Sequence, residues 1–149
     1  MASSLAAKED AIVILKLYEL RTEAVMRKAR EWVLVHFWPN SVEDIRAVLN
    51  NFGSDENAFL RQVTSYWEMA AALVNHGTLD CELFLETNAE PFFLLAKFWP
   101  FLAEVRGSAP TFLRQVEQLT VKSTIARQRL DTMLANMDKR RQVATANGR

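Results

Sequence analysis

The stretch FLRQVTSYWEMAAALVN, residues 59–75, is helix-length and apolar around most of its circumference. Only Arg61, Gln62, Thr64, Ser65, Glu68 and Asn75 interrupt it, and Gly77 punctuates its end. A helix apolar nearly all round is enclosed by neighbours on several sides. This one is therefore expected at the centre of the fold.

The chain around it has 149 residues, 50% hydrophobic and 24% charged, the balance of an ordinary globular domain rather than a disordered chain. Four glycines and four prolines are too few for a chain of tight β-turns. Acidic and basic residues are equal at eighteen each, so no global field recruits nucleic acid or anionic lipid. Their distribution is uneven. Residues 1–105 hold fifteen acids against nine bases, and residues 106–149 hold three against nine. The two parts are expected to attract each other within one molecule or across an oligomer; the sharper alternative is a basic C-terminal segment that docks an acidic partner or nucleic acid. A lone cysteine, Cys81, excludes an internal disulfide. No apolar run approaches membrane-span length, and MASSLAAKED lacks the form of a secretory signal, so a cytoplasmic location is expected.

Periodicity predicts a single all-α domain over residues 1–149, a bundle of five to six helices with the long ones at the two ends. The first helix is expected to start at Ser3 or Ser4 and run unbroken to Pro39. Its apolar face is Ala11, Ile14, Leu15, Tyr18, Thr22, Val25, Ala29, Trp32 and His36, and its length is about 50 Å. Ser41 caps a short helix, Ser54 or Asp55 caps the central one, and a short helix follows Gly77. Asn88 is expected to cap a helix over residues 91–106, kinked at Pro100 and packed directly on the central helix. The last helix is predicted to run from Ser108 with a heptad-like stripe of Phe112, Val116, Leu119, Ser123, Ala126, Leu130, Met133 and Met137. A basic tail from about 139 to 149 is expected to fray. His36-Phe37-Trp38-Pro39 and Lys97-Phe98-Trp99-Pro100 repeat one pattern, which reads as shared corner chemistry rather than a duplication.

Few groups could carry chemistry. His36 and His76 sit at helix C-termini, where they suit the dipole. His76, Asp80, Glu82, Glu86 and Glu90 cluster in sequence but match no metal-binding motif, so no metal and no cofactor is expected there. Cys81 reads as a small buried hydrophobe whose acidic neighbours Asp80 and Glu82 raise its pKa. Nucleophile elbows, phosphate loops and paired thiols are absent, and no catalytic residue is nominated. Arg114, Lys122, Arg127, Arg129 and the run 139–141 could track phosphates, yet they form no reading head, and nucleic acid is not expected as a partner. Glu68 stands out because a carboxylate on an otherwise apolar helix must be paired or solvated. Arg61 and Arg106 are its expected partners in a structural ion pair.

The pattern Phe59-x3-Val63-x2-Tyr66-Trp67-Glu68, then Ala71-x-Leu73-Val74-x2-Gly77-x-Leu79-Asp80-x2-Leu83-Phe84, then Trp99 and Arg106, resembles a family of bacterial and phage-associated helical proteins classed as a domain of unknown function. The resemblance spans roughly residues 45–106. It implies a compact helical core in which Glu68 and Arg106 face each other. Members of that family often carry an N-terminal membrane helix, whereas the first helix here is charged throughout.

Two functional expectations follow. The first is a non-enzymatic interaction module that binds a protein partner or a second copy of itself through its long terminal helices, with Phe112, Val116, Leu119, Ala126, Leu130 and Met133 as interface candidates. The second is a ligand- or metal-binding bundle whose pocket is lined by Trp67, Phe98 and Trp99 near Glu68.

Overall fold

A computed structural model describes residues 5–148, and every described element is helical. Among these residues there are eight α-helices of seven residues or more and one single turn. They are α1 (Lys8–Thr22), α2 (Ala24–Glu31), α3 (Val42–Asn50), α4 (Asp55–Asn75), α5 (Cys81–Thr87), α6 (Glu90–Phe98), the turn α7 (Leu102–Val105), α8 (Arg114–Lys122) and α9 (Thr124–Asn147).

The central stretch becomes α4, with Leu60, Val63, Trp67, Ala70 and Ala71 fully enclosed. Ser54 caps it by accepting from the Asn57 N–H at 3.1 Å, and Gly77, at φ 76°, turns the chain out of it. Its principal neighbours are α8 and α2, with α3 and α5 beside them. The 91–106 segment was expected to be its direct partner; α6 instead packs mainly against α9. Pro100 breaks that segment as expected, through a 3₁₀ turn at Trp99–Phe101. Asn88 ends α5 rather than capping α6, donating to the Phe84 carbonyl at 3.1 Å.

Both long terminal helices are interrupted. The predicted caps Ser3 and Ser4 lie outside the described residues, and α1 starts at Lys8. Glu23 leaves the helical region (ψ 145°) and its carboxylate accepts from the N–H groups of Val25 and Met26, restarting the helix as α2. Arg30 reaches back to the Arg21 carbonyl freed by the break, at 3.3 Å. The restart shifts the buried face. Leu17, Met26, Ala29 and Val33 turn inward, while Leu15, Tyr18 and Val25 of the expected stripe face solvent. The final turn, Trp32–His36, widens to π geometry, with the Phe37 N–H bonded to the Trp32 carbonyl.

The last helix breaks at Ser123, whose hydroxyl caps α9 through the Ala126 N–H at 3.2 Å. The expected coiled-coil seam is consumed inside the monomer. Phe112, Val116, Leu119, Ala126 and Leu130 are all buried in the chain's own core, and Met133 is half-buried against it. The tail expected to fray is helical to Asn147, and Arg141 ties it down by donating to the carbonyls of Pro39 and Lys97 at 2.8 and 2.6 Å.

Candidate functional site

Glu68 is where sequence reasoning placed its strongest suspicion. The helix that needs it is α8, whose first residue follows Leu113 in the left-handed region at φ 54°. A leucine there offers no side-chain acceptor for the free N–H groups of the first turn. Glu68 supplies one from the neighbouring helix, accepting from Gln115 N–H at 2.9 Å and Val116 N–H at 3.0 Å, one carboxylate oxygen to each. The expected ion pair does not form. Arg106 instead donates to Glu117 at 3.2 Å and to the Phe112 carbonyl at 2.9 Å, and Arg61 is exposed. Glu68 and Arg106 thus hold the same first turn from two sides without bonding each other. Burial pushes the Glu68 carboxyl above its usual pKa, against the backbone N–H bonds and the Arg106 charge that favour its ionised form. A cleft of about 510 Å³ opens beside it between Arg61, Thr64 and Phe112. The carboxylate that borders it is already engaged in a structural role.

Trp67, Phe98 and Trp99, the residues expected to line a pocket near Glu68, do not line the cleft beside it. Trp67 and Phe98 are completely enclosed, and Trp99 lies half-buried under the Arg127 guanidinium, 5.7 Å from the ring centre. Trp67 has another assignment: its indole N–H donates to Glu90 at 2.7 Å. Glu90 also receives Arg30 in a forked bond, 2.7 Å at the shortest. Arg21 donates to Asn88 at 2.8 Å and Tyr66 donates to the Leu17 carbonyl. This polar seam joins α1 and α2 to α4 and α6. Burial pushes the Tyr66 hydroxyl up to about 12.

The acidic cluster does not converge. Asp80 caps α5 through Leu83 N–H at 2.8 Å, Glu82 and Glu86 are exposed, and His76 closes α4. No group of three or more metal-type side chains comes together among the described residues. Cys81 is half-buried, its thiol pushed up first by burial and then by Asp80 and Glu82. His36 lies 3.6 Å from Glu31 on the surface.

Sequence reasoning missed a second polar centre. The two Phe-Trp-Pro corners meet in space, with Phe37 and Phe98 6.2 Å apart. Lys97, wholly buried, donates to the carbonyls of Val33 and Leu34 in the π turn, and its ammonium sits 4.1 Å from the Trp38 ring centre. The widened turn presents these carbonyls, and the aromatic face supports the charge. Burial and the nearby Arg141 charge push Lys97 down to about 7. The available signal was a single lysine inside the otherwise apolar run PFFLLAKFWPFL. Beside this centre a groove of about 780 Å³ runs between the π turn and the end of α9.

No described helix is long and apolar enough to cross a membrane. No curated protein and no solved structure matches the chain. The family model of a domain of unknown function, DUF4760, matches residues 6–123, covering every helix from α1 to α8 and well beyond the 45–106 span of the sequence resemblance, and the chain belongs to that family.

Proposed function

We propose that the chain is a non-enzymatic interaction module that pairs with a second copy of itself through α1. The observation that carries this reading is the outer face of α1, where Ile12 and Leu15 are each 67% exposed and Tyr18 is 57% exposed. A monomer that leaves such a face to water exposes the kind of apolar patch that marks an interface. The face is also self-complementary. Lys8, Ile12, Leu15 and Glu19 follow one another at steps of four, three and four, on one side of the helix. That spacing reads the same in both directions. In an antiparallel pair, Ile12 meets Leu15 of the other copy and Lys8 meets Glu19, twice, about a two-fold axis. One helix face makes a small interface, so a Kd on the order of micromolar is expected.

Light scattering across a concentration series tests this. The expected result is a reversible dimer that Leu15→Asp reduces to monomer. Lys8→Glu and Glu19→Lys each bring like charges together and weaken the dimer, and the double exchange restores it. A wild-type monomer throughout, or a double exchange as weak as the single changes, would rule the arrangement out.

A further inference from the structure

The groove between the π turn and α9 has an unusual charge balance. None of the ion pairs among the described residues involves Lys97, Lys139, Arg140 or Arg141, although all four cations lie at this corner. Arg141 and Lys97 are occupied with backbone carbonyls. Lys139 and Arg140 line the groove itself, and no described carboxylate does. The remaining walls are largely apolar, among them Leu34, Trp38, Phe93 and Val143. Val143 is 59% exposed, so more than half of it is left uncovered in the monomer.

We propose that this groove binds a single-chain anionic amphiphile, a long-chain carboxylate. Its chain lies against Leu34, Trp38, Phe93 and Val143, and its head meets Lys139 and Arg140. The cavity volume of about 780 Å³ suits a small molecule. Charge complementarity selects the sign of the head, because among the described residues two cations outside any ion pair and no carboxylate line the site. The apolar walls select the tail, since inorganic phosphate alone would leave them wet. An extended peptide fits less well. The walls are helical, with most backbone groups already paired, and would leave the peptide's own N–H and C=O groups without partners. A membrane surface would need a protruding apolar face, whereas this one is concave. The Trp38 ring already rests on the Lys97 ammonium, and the Arg140 guanidinium lies 5.0 Å from the Phe93 ring centre. Both aromatic walls are therefore held in place before a ligand arrives. The site is separate from the α1 face and does not depend on pairing through it.

Titration calorimetry on the full chain, with dodecanoate below its micelle threshold, tests the assignment. One dodecanoate per chain is expected, with no binding of dodecyltrimethylammonium or inorganic phosphate. Reversing Lys139 and Arg140 to Glu together should weaken binding by about tenfold or more. Val143→Asp should weaken it comparably, with circular dichroism confirming that each variant keeps its helix content. Equal binding of the ammonium amphiphile, indifference to the charge reversal, or association confined to anionic vesicles would overturn the proposal. So would an acidic amphipathic peptide that saturates the groove while dodecanoate does not.

Discussion

At Glu68 the chain substitutes a distant side chain for a local helix cap. Removing the acceptor leaves two N–H groups of α8 bare, so Glu68→Ala should lower stability by about 1–2 kcal/mol in urea unfolding. Glu68→Gln should cost less, because its amide oxygen keeps one bond and a desolvated charge is removed. Arg61→Ala should leave stability unchanged within about 0.5 kcal/mol; a loss equal to that of Glu68→Ala would restore the ion-pair reading. Lys97 gives a second residue-scale expectation. Its pKa falls from 10.5 to about 7 on folding, so between these values the unfolded chain binds more protons than the folded one. Stability then rises with pH across that window and is lowest, as far as this group is concerned, below pH 7. Lys97→Met should flatten that rise in a series of thermal melts from pH 7 to 10. A slope unchanged by the substitution would show that Lys97 is not its source.

At the scale of elements, the two interrupted helices separate what the sequence encodes locally from what packing decides. Ser123 lies on the repeating stripe, where an unbroken helix would prefer alanine. In the structure it caps α9 instead, and Ser123→Ala should cost about 1 kcal/mol. A stabilising effect would mean that the helix runs through. The ends of α3 and α4 were legible because Ser41, Ser54 and Gly77 act on their own backbone within a few residues; the short helix after Gly77 was legible too, but not its start, which Asp80 sets by capping α5 at Cys81. Glu23 was not, since no glycine or proline marks it and the break is braced by Arg30 and Glu90 from elsewhere in the chain. Glu68 was legible as an oddity but received the wrong partner. Its acceptors' donors are backbone N–H groups, which every residue but proline carries and which no sequence pattern announces. Lys97 was hidden for the same reason, its partners being two carbonyls that only the widened turn presents.

For the whole molecule, the opposed charges of its two parts act on each other, as Arg106 does on Glu68, without direct pairing. No ion pair among the described residues joins an acid before residue 106 to a base after it. Arg129 and Arg141 spend their donors on main-chain carbonyls of Leu85, Asn88, Pro39 and Lys97, and Arg106 and Arg127 pair within the C-terminal part. Added salt should therefore alter monomer stability little, since screening acts most on exposed pairs at the surface. The α1 face behaves differently, because pairing of folded copies stabilises the folded state by mass action. Melting temperature should rise with protein concentration in the wild type, and the rise should shrink in salt as the Lys8–Glu19 contacts are screened. Leu15→Asp should melt at one temperature regardless of concentration while keeping its core, since Leu15 contributes little burial to the monomer. Calorimetric scans from low to high micromolar concentration read both effects. A wild-type melting point independent of concentration would remove α1 pairing as a contributor to stability, while a concentration dependence that survives in Leu15→Asp would move the interface to another face of the molecule.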